Sequence, residues 1–164
     1  MAIDTYTLSF AEIFSTVSKI KSKKEKVSFL KHYQTDALRM VVKSSFDPKI
    51  VWALPEGEVP FRPNDAPEGT EHSNLSYEAR KLYHYIQGGN PILTQSKRES
   101  MFVALLESLH PDEADILVAA KDGLLHQKYK GLSKNVVMEA FDWDDNYMVV
   151  EQEKYPQTPG LAAG

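Results

Sequence analysis

Apolar residues recur at helical spacing along the first fifty positions. Phe10, Ile13, Phe14, Val17 and Ile20 share one helical face. In front of them Ser9-Phe-Ala-Glu12 is a capping-box pattern, in which serine and glutamate each satisfy a free amide of the first turn. Ser22-Lys-Lys-Glu25 repeats the signal and opens a second helix with Val27 and Leu30 inside. Thr35-Asp36 caps a third that carries Leu38, Val41, Val42 and Phe46. Pro48 makes Asp47 a poor helical residue and stops it.

Residues 47–73 break the rhythm. Pro55, Pro60, Pro63 and Pro67, with Gly57 and Gly69, forbid a long helix. Ile50 to Leu54 is a short apolar run, either one extended strand or a plug into the core. Trp52 and Phe61 give this excursion aromatic anchors, which favours an ordered path. Helical spacing then returns. Leu75, Ala79, Leu82 and Ile86 share a face, with Gly88-Gly89 as the C-cap. Thr94 caps a helix holding Met101, Phe102, Leu105, Leu106 and Leu109. Pro111 stands at a first helical position, followed by Asp112, Glu113 and Asp115 in the favourable first turn, and that helix runs to about Lys121. Leu124 to Tyr129 reads as one further turn, and Gly131-Leu-Ser133 leads into a last helix with Val136, Val137, Ala140 and Phe141. The fold class is mainly α: one compact domain over 1–141, of seven or eight short helices, with a proline-rich excursion at 47–73. Residues 142–164 read as an acidic, flexible tail.

Composition narrows the function classes. The chain has 164 residues, 42% hydrophobic and 26% charged, which fits one folded soluble domain. It has no cysteine, so disulfides, thiol catalysis and cysteine-held metal clusters are excluded. No apolar run approaches the roughly 18 residues of a membrane helix, so no membrane partner is expected. Residues 1–10 carry Asp4 and no base, unlike a secretory leader. The expected location is the cytoplasm, that of the host cell if the chain is phage-encoded.

The net charge of −4 conceals a segregated pattern. Lys19 to Lys49 holds nine bases against three acids, a net +6. Ile50 to Glu78 is −5, with Arg62 its one base, and Asp142 to Gly164 is −4. Interaction arguments must therefore be local.

Catalytic patterns are weak. Lys121-Asp122-Gly123 misses the K-x-D-G motif of nucleotidyl transferases by one residue and reads as a helix C-terminus. His110-Pro-Asp112-Glu113-Ala-Asp115 resembles a hard-metal cluster, yet the helix dipole already explains acids there. His32, His72, His84 and His126 show no metal-ligand spacing, and no phosphate-cradling glycine loop or nucleophile elbow occurs. Tyr77, Tyr83, His84 and Tyr85 form an aromatic group in which at least one ring should be exposed, either for stacking on bases or as ordinary surface. No catalytic residue, metal or cofactor is assigned.

Two basic helix junctions are the sharpest feature. The first holds Lys19, Lys21, Lys23, Lys24 and Lys26, where a second helix offers its free N-terminal amides. The second holds Lys121, Lys128, Lys130 and Lys134 against Asp122, with Gly131 at the turn. Clustered lysines and helix N-termini both attract phosphate, although a solvated lysine-rich turn has the same sequence.

These junctions also carry a resemblance. Ser22-Lys-Lys-Glu-Lys-Val-Ser-Phe-Leu30, then Leu38-Arg39 and the stretch from Val51-Trp52 to Pro60, resembles the opening of the helical DNA-binding domain of phage-type ATP-dependent DNA ligases. Lys130-Gly-Leu-Ser-Lys-Asn-Val-Val-Met-Glu-Ala-Phe141 resembles the turn and helix that close such domains. The likeness implies a grip on duplex backbone in the minor groove, falling by position on Lys23, Lys24, Lys130, Gly131 and Ser133. The ligase catalytic domains have no counterpart here, so ligation is not implied. The chain as a whole resembles small proteins of T-even-like marine and cyanobacterial phages, through Phe61-Arg-Pro-Asn-Asp-Ala-Pro-Glu-Gly-Thr-Glu71 and Ser108-Leu-His-Pro-Asp-Glu-Ala114. That second likeness implies no activity.

The leading expectation is a non-enzymatic helical module that binds double-stranded DNA backbone through Lys21, Lys23, Lys24, Lys26, Lys128, Lys130, Gly131, Ser133 and Lys134. Its rival is a helical adaptor for a phage or host protein, with the proline-rich excursion and the acidic tail as contact surfaces.

Overall fold

A computed structural model of the chain describes residues 8–67 and 73–142. Eight α-helices and one 3₁₀ helix lie among the described residues: α1 (Phe10–Lys19), α2 (Lys23–Tyr33), α3 (Asp36–Phe46), α4 (Leu75–Glu78), the 3₁₀ helix (Ala79–Tyr85), α5 (Gln95–Ser108), α6 (Pro111–Lys121), α7 (Leu125–Lys128) and α8 (Lys134–Ala140). The architecture is mainly helical, as the spacing predicts. The acidic segment 143–164 lies outside the described residues.

The serine and threonine N-caps form. Ser9 Oγ accepts from Glu12 N at 3.1 Å while Glu12 Oε1 accepts from Ser9 N at 2.8 Å. Ser22, Thr35, Thr94 and Ser133 accept from the amides of Glu25, Leu38, Lys97 and Val136. Each such cap contributes about 1 kcal/mol.

The core centres on α6, which packs against α1, α3, α5 and α7. Ala114, Ile116, Leu117 and Ala120 are all fully buried, because a helix covered on several sides is apolar around most of its circumference. Phe14, Leu38, Phe102 and Leu106 close around it. The two polar residues that α6 buries both face outlying chain. Glu113 Oε1 accepts from Leu75 N at 3.0 Å and so holds the start of α4. Lys121 Nζ donates to the carbonyls of Pro55 and Gly57, at 2.6 and 3.1 Å, and pairs with Asp122 Oδ1 at 2.6 Å. Asp122 Oδ2 in turn accepts from Gly57 N at 3.1 Å.

The proline-rich excursion is thus fastened at several points. Trp52 is buried against Phe102 and donates from Nε1 to Ser44 O at 2.9 Å. Phe61 packs half-buried on the core. Arg62 N donates to Glu107 Oε2 at 2.8 Å, and Asn64 Nδ2 to Glu107 O at 3.0 Å. Of the two expectations for the run around Trp52, the plug holds, and in place of a strand there is one isolated bridge. Trp52 forms a single antiparallel bridge with Ile86, framed by Ala53 N donating to Tyr85 O and Gln87 N to Val51 O.

That bridge corrects one expectation. The helix over 75–86 does not run on to Gly88-Gly89. After one α turn it tightens to 3₁₀ winding and ends at Ile86, which adopts extended backbone. The carbonyls of Tyr85 and His84 are taken by Ala53 N and by Arg98 Nε, so they do not serve a continuing helix. Arg98, buried in α5, also donates to Asn90 O, Leu93 O and Gln95 Oε1, and so holds the loop behind that end. Gly89 is required there: a Cβ would fall inside contact distance of the Tyr83 carbonyl oxygen, which is backbone and cannot step aside.

Candidate nucleic-acid interface

The first basic junction is the link between α1 and α2. Lys21 stands exposed in it, and Lys23 and Lys24 are exposed in the first turn of α2, which buries Val27 and Leu30. The second junction is the link between α7 and α8. Lys128 ends α7, with its ammonium 5.4 Å from the centroid of the Tyr129 ring. Lys130 is exposed before Gly131, and Lys134 is exposed at the start of α8.

The fold joins these two junctions. α8 buries Val136 and Val137 and packs against α2. Lys26 crosses to the second junction, where a Cβ on Gly131 would lie 2.6 Å from its Nζ. Gly131 has φ +93°, a left-handed conformation that glycine adopts freely. Lys23 Nζ reaches Glu139 Oε1 on α8 at 3.3 Å. Lysines that stand about a hundred positions apart in the chain therefore occupy neighbouring elements.

The sequence-predicted residues do not all remain available. Lys23 is ion-paired with Glu139, an acid within the patch that the charge count placed nowhere near it. Ser133 uses its hydroxyl to cap α8. Lys26 is half-buried over the turn. Lys21, Lys24, Lys128, Lys130 and Lys134 are exposed, and so is Lys23 beside its ion pair. Elsewhere in the +6 block, Lys43 is buried in α3 and Arg39 pairs with Asp36 and Gln34. Lys121, expected to extend the second junction, is the buried clamp on Pro55 and Gly57.

The weaker constellations resolve into structural roles. Glu113 holds Leu75 N, and His110 Nδ1 accepts from Asp112 N at 3.0 Å as the N-cap of α6. Among the described residues no group of three metal-ligating side chains comes together. No described helix is long and apolar enough to cross a membrane. Tyr129 packs on Phe14 with ring centroids 5.3 Å apart, and burial, then Asp112 and Asp115, pushes its phenol up to about 12. Burial and Glu78 push Tyr85 up to about 12 as well.

A family profile described as a family of unknown function, DUF6433, matches residues 13–127. The chain belongs to DUF6433. No curated protein and no solved structure matches it. The DUF6433 match takes in the first basic junction and the whole of α6, including the Lys121 clamp, and ends before Lys128, Lys130, Gly131, Ser133 and Lys134. Half of the candidate surface therefore lies on the segment that follows the matched region.

Proposed function

We propose that this DUF6433 protein is a non-enzymatic helical module that binds the sugar–phosphate backbone of duplex DNA. The observation that carries this reading is the meeting of the two basic junctions, with Lys26 of α2 set against Gly131 in the turn before α8. Lys21, Lys24, Lys128, Lys130 and Lys134 then lie on connected elements and are exposed. Ammonium groups on long stems follow a phosphate backbone well as point charges and read no bases. The first turn of α2 adds amides of favourable dipole beside Lys23 and Lys24. The chain's overall negative charge limits non-specific attraction to this one surface.

The test is a titration of the full chain against two duplexes of unrelated sequence at rising salt. The two affinities should agree, and the logarithm of affinity should fall linearly with the logarithm of salt, by about one unit of slope per phosphate contact. Affinity that ignores salt, or that follows sequence, contradicts the reading. The adaptor reading ranks second, because Trp52, Phe61 and the carbonyls of Pro55 and Gly57 are engaged within the fold and leave the excursion less to offer a protein.

A further inference from the structure

The 3₁₀ winding after α4 has a consequence for the surface. In a 3₁₀ helix residues three apart eclipse one another, so the rows run i, i+3, i+6. Ala79, Leu82 and Tyr85 form one such row and are all buried. Arg80 and Tyr83 form the row that faces outward, and Tyr77 of α4 continues it. Tyr77 and Tyr83 are each half exposed, at 50% and 51%, and Arg80 is exposed between them. In a regular α-helix three residues turn only about 300°, so these three would drift about 60° per step around the axis.

The rings are held and flanked by cations. Lys81 Nζ and Arg80 Cζ lie 4.5 and 5.5 Å from the centroid of the Tyr77 ring. The His84 imidazole lies 4.2 Å from the Tyr83 ring, at 35° to it, and backs that ring. His84 is itself fixed by Asn90, 3.0 Å from Nδ1. The Glu78 carboxylate stands close and is shared between Lys81 at 3.9 Å and the Ser73 hydroxyl at 2.5 Å. The result is a line of ring, guanidinium and ring with a lysine beside it.

We propose that Tyr77, Arg80 and Tyr83 form a stacking platform for an unpaired nucleic-acid strand, with bases on the two rings and phosphates on Arg80 and Lys81. Every base has a π-face, so such a platform accepts a strand without reading its sequence, and alternating rings and cations match a chain of alternating bases and phosphates. It is built on different elements from the lysine surface and stands or falls separately from it.

The experiment is an anisotropy titration of the full chain with a fluorescein-labelled oligothymidylate at low salt, run beside a duplex. Replacing both rings, Tyr77→Ala with Tyr83→Ala, should weaken single-strand binding about ten-fold or more and leave the duplex unchanged. Tyr77→Phe with Tyr83→Phe should bind the single strand as the wild type does, because stacking needs the ring and not the hydroxyl. Single-strand binding that depends on the rings stands even where the duplex fails to bind at all. The platform is overturned by a wild-type protein with no affinity for the single strand, by alanine variants that bind it unchanged, or by phenylalanine variants that lose it. Polyglutamate competing as well as the oligonucleotide would also overturn it, and would mark a charged surface for an acidic protein segment.

Discussion

Lys26 on α2 lays its ammonium against Gly131, which stands in the turn that precedes α8. The contact spans 105 positions of sequence and is the point at which two separate basic junctions become one surface. Gly131→Ala tests it from the glycine side. The Lys26 stem is flexible and can move aside, but φ +93° strains any other residue. The variant should lose about 1–2 kcal/mol of stability in urea unfolding. An unchanged midpoint would mean that the turn has another conformation.

Lys121 is predicted to matter for stability and not for binding. Its buried ammonium satisfies two backbone carbonyls and one carboxylate. Lys121→Met keeps the stem and leaves those acceptors without their donor, which should cost about 2–3 kcal/mol. Duplex affinity of the folded variant should match wild type. A stable variant with weakened binding would return Lys121 to the interface.

Trp52 carries the excursion. It packs on Phe102 and donates to Ser44 O. Trp52→Ala should lower stability by about 3–5 kcal/mol. Trp52→Phe restores part of the packing and leaves the Ser44 carbonyl without its donor, for a smaller loss of about 1–3 kcal/mol. Equal unfolding midpoints for wild type and the alanine variant would show a loosely attached segment.

Alkaline pH should unfold this protein through two tyrosines. Tyr85 and Tyr129 titrate near 12 when folded and near 10 when unfolded. A raised pKa means that the unfolded chain releases these protons first. The stabilisation is therefore complete below about pH 10 and is lost between about pH 10 and 12. Tyr85→Phe with Tyr129→Phe should flatten the fall in thermal midpoint across that window. An equally steep fall in the variant would place the alkaline sensitivity elsewhere.

The sequence showed helices where local chemistry suffices. Ser9, Ser22, Thr35 and Thr94 cap as read, because a cap involves only its own first turn. The helix over 75–86 was misread because its end is decided by Ala53 and Arg98, which reach it from other parts of the chain. The same limit applies to the candidate surface. The lysines were legible as charge runs, but their union was not. It depends on the packing of α2 on α8, which bury Val27 and Leu30 and Val136 and Val137, apolar faces that any two helices of the chain could have offered one another. Glu139 joins the patch through the same packing, and its spacing from Val136 and Ala140 puts it at the edge of that face. Lys121 and Glu113 read as ordinary helix-end residues and are internal fasteners, since a buried charge is retained only where partners satisfy it.

The central claim is that the two junctions grip duplex backbone as one surface, and the salt slope of charge-reversed variants measures this most directly. Lys24 and Lys130 are the residues to reverse, because each is exposed and Lys23 is already paired with Glu139. Lys24→Glu and Lys130→Glu should each weaken duplex binding equally for unrelated sequences and make the slope shallower by about one unit, with the double variant shallower by about two. A loss confined to one junction, or a wild-type protein that binds no duplex at low salt, would contradict it.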